Sequence, residues 1–391
     1  MNLNNTKKCI MPWIHINMEP TGDMVLCCRA DQTTGCMGNV NTQTVEQVWK
    51  GEKYSKIRQQ MINGEEPDAC KICYTAETLG GLSKRVRENE TWKDYSYLTN
   101  TPEVDLDIPY VDIRFNNICN LKCRSCRPLH SHSIANEYKQ LGKPLSHEIV
   151  LKHKSPSIEH ELDRLAPTIE EIYFCGGEPL LMDDHYRLLD KLIEVKNFDV
   201  RIRYSTNLTK LEYKNYNVLE RWKYFKNVSV HASLDGIKSK LEYIRHGTKW
   251  NDILANLTLL KENNIEIKIS PTTSVFNIMD ISEICTYYVD NGFITTDDLG
   301  VSLLETPYYY SVQTLHPTLK ELAKERIEKF MNTRNLSSDS KKRFQHIINY
   351  MMEKDAWQDN WQKFKSITTE LDNFRNENFK ETFPELAIQY D

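Results

Sequence analysis

Between about residue 108 and residue 305, short apolar runs alternate with helical patterns, and this alternation predicts the main fold of the chain. In the segment 111–116, the apolar residues Val111, Ile113 and Phe115 fall on one face, as is typical of a strand. Similar runs predict strands at 111–116, 169–174, 200–205, 228–233, 265–270 and 300–305. Helical patterns lie between and after them, at 131–166, 182–196, 211–226, 239–263 and 278–291.

Strands that alternate with helices predict an α/β fold with parallel strands and right-handed crossovers. Six such units make a partial (β/α)6 barrel similar to a TIM barrel. In barrels of this kind the chemistry lies on loops at the carboxyl ends of the strands. We therefore expect functional residues in the loops that follow the predicted strands.

The pattern divides the chain into four parts. Residues 1–75 form a small Cys-rich domain with a β-hairpin, whose turn we place at Gly22. Residues 76–107 are polar and predict a linker. Residues 108–316 form the barrel, and residues 317–391 are expected to be helical.

Composition narrows the class of protein. The chain has 391 residues and a net charge of −5, so there is no overall basic field to attract nucleic acid or anionic membranes. The first eight residues lack the apolar core of a signal peptide, and no apolar run approaches a membrane span. We expect a cytoplasmic protein, in which the spacing of the eleven cysteines suits metal ligation rather than disulfides.

Three cysteines form a CxxxCxxC triad directly after the first predicted strand, at Cys119, Cys123 and Cys126. Fe–S clusters are normally held by four cysteines, so three thiolates would leave one iron of a [4Fe–4S] cluster open. An open coordination position is typical of a catalytic metal site. The alternative is a zinc site, to which His130 or His132 would supply the fourth ligand.

This triad and a second motif resemble the radical SAM superfamily. The matching residues are Cys119-Asn120-Leu121-Lys122-Cys123-Arg124-Ser125-Cys126 and Gly176-Gly177-Glu178-Pro179. The resemblance implies a cluster whose open iron binds S-adenosylmethionine, and reductive cleavage to a 5′-deoxyadenosyl radical that abstracts hydrogen. It departs from the family at Ser125, where an aromatic residue is frequent.

The resemblance also suggests which residues bind S-adenosylmethionine. Its methionine end would meet Gly176, Gly177, Glu178 and Pro179. Polar residues after later strands are further candidates: Asn207, Ser233 and Asp235, with Arg245 as a carboxylate partner. Asn207 and Asp235 are equally good turn residues, so a purely structural role stays open.

A second cysteine set resembles the twitch domain, a shortened SPASM domain. It comprises Cys9, Cys27, Cys70 and Cys73, together with Pro12-Trp13, Gly22 and Trp49. The resemblance implies a fully ligated auxiliary [4Fe–4S] cluster. Cys28 or Cys36 could replace Cys27, and a structural zinc site is the alternative for the whole set.

The expected activity is that of a radical SAM oxidoreductase with two [4Fe–4S] clusters. We expect it to oxidise or cross-link a peptide or protein, with the auxiliary cluster as electron conduit and reduced flavodoxin or ferredoxin as donor. The alternatives are a small-molecule dehydrogenase or epimerase acting on a sugar, aminocyclitol or nucleotide-like substrate, and a non-catalytic zinc or Fe–S protein. Cys175 is a tempting hydrogen donor, but a small buried strand-end residue is the simpler interpretation.

Overall fold

A computed structural model describes residues 3–31, 33–78, 80–154 and 156–387. Their strands are β1 His15–Met18, β2 Asp23–Val25, β3 Cys36–Asn39, β4 Tyr110–Ile113, β5 Lys122–Cys123, β6 Glu171–Phe174, β7 Arg201–Thr206, β8 Glu212–Tyr213, β9 Tyr216–Asn217, β10 Asn227–Ala232, β11 Arg245–His246, β12 Glu266–Ile269, β13 Thr272–Thr273 and β14 Ser302–Leu303. Their helices are α1 Met11–Ile14, α2 Val45–Trp49, α3 Glu52–Ile62, α4 Lys71–Thr78, α5 Lys84–Thr91, α6 His132–Gln140, α7 Pro156–Leu165, α8 Asp183–Glu194, α9 Val218–Trp222, α10 Lys238–Ile244, α11 Trp250–Glu262, α12 Ile281–Asp290, α13 Pro317–Thr333, α14 Ser338–Glu353, α15 Trp357–Arg375, α16 Phe379–Thr382 and α17 Pro384–Ala387.

The chain folds into two compact units. The first comprises Met1–Cys119, Arg127–Thr206 and Lys210–Ser229, and the second comprises Asn120–Cys126, Asn207–Thr209 and Val230–Asp391. These units do not follow the predicted boundaries at residues 75, 107 and 316. Those boundaries remain a prediction about which parts fold independently.

The first unit contains a sheet with the strand order β7-β6-β4-β1-β2-β3. Strands β1, β4, β6 and β7 are parallel, and β1, β2 and β3 are joined antiparallel. The predicted hairpin is therefore present, and Gly22 in its turn has φ +87°, a conformation that favours glycine. The N-terminal hairpin belongs to the same sheet as β4, the first predicted barrel strand. Strand β1 of the hairpin pairs with β4, from His15 opposite Tyr110 to Met18 opposite Ile113.

The four parallel strands have one apolar and one polar face. The predicted apolar positions Val111, Ile113 and Phe115 are buried, as are their neighbours on adjacent strands. Residues that lie opposite each other on neighbouring strands point to the same face of the sheet. The polar side chains that alternate with these apolar residues therefore form rows on the other face. We call this face the polar wall: His15, Asn17, Tyr110, Asp112, Glu171, Tyr173, Arg201 and Arg203, extended at the carboxyl ends by Glu19, Arg114, Cys175 and Ser205.

All six predicted strand positions carry strands, namely β4, β6, β7, β10, β12 and β14. The α/β class with a parallel central sheet and a helical C-terminal region is confirmed. Three of the predicted helices differ from the structure. The segment 131–166 divides into α6 and α7, because Gly142 takes φ +68° directly after α6.

The other two differences have similar causes. The segment 211–226 begins with the β8–β9 hairpin, which turns at Lys214 with φ +53°, so only the short α9 is helical there. The segment 239–263 divides into α10 and α11, because Arg245–His246 forms β11 and Gly247 takes φ +99°.

The predicted linker 76–107 is not a loose connection. It contains α5, and Lys84 and Glu88 on that helix form a 2.9 Å ion pair with both side chains 8% exposed. Trp92 after α5 is buried and stacks on Tyr110 of the polar wall, with 5.7 Å between ring centroids. Its polar composition suggested solvent exposure, but its charges pair with each other inside the first unit.

The second unit contains β10 from Val230 onward, β12 and the C-terminal helices. An aromatic cluster joins the barrel part of this unit to the C-terminal helices. Phe276 lies 4.9 Å from Tyr310 and 5.6 Å from Phe364, measured between ring centroids. In the described residues, none of the helices combines the length and the apolar character needed to cross a membrane.

Candidate iron–sulfur and S-adenosylmethionine sites

Gly176 and Gly177 follow β6 and lie against the backbone that leads to Cys119. Gly176 has φ +114°, and a β-carbon there would lie 3.0 Å from Cβ of Arg114. At Gly177 a β-carbon would collide with the carbonyl oxygen of Ile118. The two glycines therefore allow the end of β6 to approach the segment before the first cysteine of the triad.

Glu178 holds this turn from within. Its N–H donates to the carbonyl oxygen of Ile118 at 2.7 Å. Its carboxylate accepts from Thr206 Oγ1 at 2.7 Å and from the N–H of Leu180 at 3.2 Å. Glu178 is buried, and a short 3-10 turn begins at Pro179.

Cys119 is buried, and α6 holds its backbone. The N–H of Cys119 donates to Nδ1 of His132 at 3.0 Å, and Ser133 Oγ donates to the Cys119 carbonyl oxygen at 2.6 Å. Burial lowers the pKa of His132 and favours its neutral ring. Burial likewise lowers the pKa of His130 to about 4. His132 thus supports the backbone of the cysteine loop, a role that differs from the zinc ligand considered from the sequence.

In the second unit, Cys123 lies beside an arginine–aspartate pair. Strands β5 and β11 place Cys123 opposite Arg245. Arg245 Nη1 lies 3.7 Å from Cys123 Sγ, and Arg245 Nε lies 2.8 Å from Asp235 Oδ2. Burial raises the pKa of the Cys123 thiol, and the Arg245 charge opposes this rise by stabilising the thiolate. Two of the predicted cofactor residues therefore meet at a cysteine of the triad.

Asn207 is linked to the same loop. Its Nδ2 donates to Asn120 Oδ1 at 2.9 Å, and Asn120 Nδ2 donates to Thr209 Oγ1 at 2.9 Å. Asn207 Oδ1 also accepts from the Thr209 N–H, as the turn interpretation predicts. Ser233 is half-buried directly after β10. Asp235 accepts from the N–H of Thr272 at 2.7 Å and lines a cavity of about 160 Å³ that extends to Phe276.

The four predicted auxiliary cysteines come together in the first unit. Cys9 precedes α1, Cys27 follows β2, Cys70 directly precedes α4, and Cys73 lies in the first turn of α4. Two hydrogen bonds join their segments, from Tyr74 OH to the Lys7 carbonyl oxygen at 2.6 Å and from the Asp31 N–H to the Ala69 carbonyl oxygen at 3.1 Å. Burial raises the pKa of Cys9, Cys27 and Cys70, and the charge of neighbouring cysteines, including Cys28 beside Cys27, raises it further. The four free thiols fit a [4Fe–4S] cluster, which is held by four thiolates.

The two alternative ligands lie differently. Cys36 is in β3, with Sγ 3.9 Å from Asp23 Oδ1 and 3.8 Å from the Gly38 carbonyl oxygen. Cys28 is exposed and adjoins Cys27 in sequence. Among the described residues, no group of three or more His, Cys, Asp or Glu side chains is arranged to hold a single metal ion.

Two protein-family models match parts of the chain. Residues 113–284 match the Radical SAM superfamily, and residues 9–74 match SPASM, an iron–sulfur cluster-binding domain. The chain carries a radical SAM domain. That domain spans the cysteine triad and the glycine motif, and the iron–sulfur domain spans all four auxiliary cysteines. The two matches support [4Fe–4S] clusters and S-adenosylmethionine as cofactors, as predicted, and the iron–sulfur match replaces the zinc alternative for residues 9–74.

No curated protein sequence matches the chain. A solved structure described as native anSMEcpe with bound AdoMet is 21% identical, with a TM-score of 0.39 over 58% of this chain and 62% of that chain. Streptococcus suis SuiB bound to S-adenosylmethionine is 16% identical, with a TM-score of 0.40 over 73% of this chain and 61% of that chain. SuiB bound to its precursor peptide SuiA is 14% identical, with a TM-score of 0.36 over 68% of this chain and 61% of that chain. The chain thus spans about three fifths of the length of these structures.

The pair of Asp112 and Cys175 beside the radical SAM motifs was not predicted. Cys175 Sγ donates to Asp112 Oδ1 at 3.0 Å on the polar wall, and both residues are buried. Asn17 Nδ2 donates to the other carboxylate oxygen of Asp112 at 3.1 Å, and Arg114 Nη1 donates to Asn17 Oδ1 at 2.8 Å. The sequence did contain one indication of this polar cluster, because the charged residues Asp112 and Arg114 occupy alternate positions of a strand that is otherwise apolar.

Proposed function

We propose that this protein cleaves S-adenosylmethionine reductively and oxidises or cross-links a peptide or protein substrate. The observation that carries the proposal is the contact between the glycine pair and residues 114–118, which joins the two radical SAM motifs in the fold. When bound, the cluster and S-adenosylmethionine supply a 5′-deoxyadenosyl radical that abstracts a substrate hydrogen. Cys119, Cys123 and Cys126 are the proposed ligands of this cluster.

The surrounding residues have separable proposed roles. Gly176 and Gly177, which lie against the segment before Cys119, would hold the methionine end of S-adenosylmethionine, and backbone carbonyls there would accept from its ammonium. Arg245 donates to Cys123 and adds positive charge, which favours the reduced cluster. Asp235 orients Arg245. Asn207 fixes Asn120 in the cysteine loop.

Cys9, Cys27, Cys70 and Cys73 are the proposed ligands of the auxiliary cluster. Four cysteines complete the ligation of such a cluster, so it is suited to carry electrons rather than to bind substrate. Oxidation of a substrate radical releases one electron, which this cluster would accept. Reduced flavodoxin or ferredoxin is the proposed electron donor for the catalytic cluster.

The carboxyl end of the polar wall, where Arg114, Tyr173 and Ser205 are half-buried, is the proposed substrate surface, because most of the remaining wall is fully buried. It offers carboxylates, guanidinium groups and hydroxyl groups, including a 2.5 Å contact between Tyr173 OH and Ser205 Oγ. Buried charges on it are paired, as Arg203 Nη1 is with Glu171 Oε1 at 2.8 Å. A surface that combines donors and acceptors suits the amide groups of a peptide.

Iron and sulfide analysis tests the two-cluster proposal. Anaerobically reconstituted protein should hold about eight irons per chain, and the Cys119/Cys123/Cys126→Ala variant about four. The parent should form 5′-deoxyadenosine with dithionite, and this variant should form none. An unchanged iron content, or 5′-deoxyadenosine from the variant, would refute the assignment of the triad.

The Cys175–Asp112 pair favours a second candidate, a redox-neutral epimerase. In that case the Cys175 thiol would donate a hydrogen atom to the substrate radical, and the resulting thiyl would be reduced by one electron and one proton from the reductant system. Product formed in D2O would carry one non-exchangeable deuterium, and Cys175→Ala would abolish this incorporation. An oxidised product without deuterium would instead support the first candidate.

A further inference from the structure

The loop that carries Cys123 and Cys126 belongs to the same compact unit as the C-terminal helices. Asn120–Cys126 groups with Val230–Asp391. Between the two cysteines lies Arg124, whose side chain is 0% exposed. A buried guanidinium without a charged partner is strongly destabilising. The conformation of this loop therefore depends on the residues that pair with Arg124.

Two carboxylates close to the C-terminus pair with Arg124. Arg124 Nη2 donates to Asp372 Oδ1 at 2.5 Å and to Glu377 Oε2 at 2.6 Å. Asp372 lies in the last turn of α15, and Asn376 then reverses the chain with φ +55°. The two carboxylates are only 12% and 16% exposed, so solvent screens them little.

The same carboxylates contact the segment around β11, which pairs with the cysteine loop. Tyr243 OH donates to Asp372 Oδ1 at 2.7 Å, and the Arg124 guanidinium lies 3.7 Å from the centroid of the Tyr243 ring. His246 Nδ1 lies 2.7 Å from Glu377 Oε1. Tyr243 and His246 flank Arg245, the residue that donates to Cys123.

We propose that Asp372 and Glu377 are positioning residues of the catalytic cluster. Through Arg124 they fix the loop between Cys123 and Cys126, and through Tyr243 and His246 they fix the strand that presents Arg245. The C-terminal helical segment is then an integral part of the cluster site. This inference rests on the proposed function, which assigns Cys123 and Cys126 to that cluster.

The test compares Asp372→Asn/Glu377→Gln with the parent and with Glu385→Gln. The control removes the exposed ion pair of Glu385 with Arg326 in the same C-terminal segment. Backbone hydrogen exchange of 120–126 is measured on the full-length protein before and after anaerobic reconstitution. The double variant leaves a buried arginine unpaired, so exchange in this loop should rise about a hundredfold, while the control matches the parent. Arg124→Lys, which keeps the charge but loses the two-pronged geometry, should lie between them.

Electron paramagnetic resonance of the reduced catalytic cluster gives the second readout. The double variant should show altered g-values and a weaker response to added S-adenosylmethionine, whereas the control should not. The positioning role would be overturned if the double variant had a lowered melting temperature but showed the same hydrogen exchange in 120–126 and the same spectra as the parent. Absence of any triad-dependent cluster in the parent would instead refute the proposed function itself.

Discussion

Gly177 is a position where a single added methyl group should disturb the cysteine loop. Its β-carbon would collide with the Ile118 carbonyl oxygen, so Gly177→Ala must displace the turn or the segment before Cys119. We expect loss of 5′-deoxyadenosine formation with a reduced iron content. The control is Gly64→Ala, which meets no atom within 4 Å but has φ +80° and should cost about 1 kcal/mol of stability without changing iron content. A fully active Gly177→Ala would show that the close approach is unnecessary.

Cys27 and Cys28 are adjacent residues with different expected roles. The charges of Cys28 and Cys9 both act on Cys27, but Cys27 is half-buried, whereas Cys28 is exposed. We therefore expect Cys27→Ser to retain about four irons per chain and Cys28→Ser to retain about eight. Iron and sulfide analysis after identical reconstitution measures this. The reverse result would make Cys28 the ligand.

Spacing within the sequence was enough to identify the cysteines and the glycine motif, because each motif occupies a few consecutive residues. It could not identify the partners of those motifs. Asp372 and Glu377 lie about 250 residues beyond Arg124, and a sequence does not show which acidic residues of a C-terminal segment are buried against a distant partner. The support of Cys119 by His132 was equally hidden, since a histidine near a cysteine triad also suggests a metal ligand.

At the scale of elements, α5 carries a buried ion pair between Lys84 and Glu88. Lys84→Ala would leave Glu88 buried without its partner, which we expect to cost about 3 kcal/mol of unfolding free energy. Lys84→Met/Glu88→Leu removes both charges and should cost less than the single substitution. Denaturant unfolding of both variants measures this. If both variants lose less unfolding free energy than the exposed control Lys50→Ala, the ion pair contributes nothing to stability and the segment is loosely packed.

The positions of the strands could be predicted because alternation of apolar residues is recognisable even in a segment of about four to six residues. The helix boundaries at 131–166 and 239–263 could not, because the residues that interrupt them act through conformation. Gly142 and Gly247 adopt positive φ values, which a periodicity pattern does not record. The packing of the polar segment 76–107 could not be predicted, because composition does not reveal that charged residues such as Lys84 and Glu88 are paired and buried.

For the molecule as a whole, buried histidines predict a loss of stability in mild acid. Burial lowers the pKa of His185 to about 3, compared with about 6.5 in an unfolded chain. The unfolded state therefore binds a proton first, so this contribution is complete above about pH 6.5 and is lost as the pH falls toward 3. His185→Gln should have a flatter dependence of the denaturant midpoint between pH 7.5 and 5. Parallel curves for parent and variant would contradict the low pKa.

The shared sheet also predicts how the chain tolerates truncation. Removing residues 1–75 would uncover the edge of β4, and exposed strand edges promote aggregation. We expect residues 76–391 alone to aggregate in size-exclusion chromatography. The control, Cys9/Cys27/Cys70/Cys73→Ser, loses the auxiliary cluster but keeps the hairpin and should elute like the parent. A monomeric, folded 76–391 would instead support the predicted boundary at residue 75.

The pairing of β1 with β4 also sets an order of events during synthesis. His15 leaves the ribosome 95 residues ahead of Tyr110, its partner in the sheet, which corresponds to roughly 5 to 20 seconds of translation. Cys73, the last of the four auxiliary cysteines, is made before Tyr110, and the triad follows afterwards. The nascent chain thus presents a complete set of four thiols while the strand that anchors their hairpin has yet to be translated, and iron delivery to this set can precede assembly of the radical SAM domain.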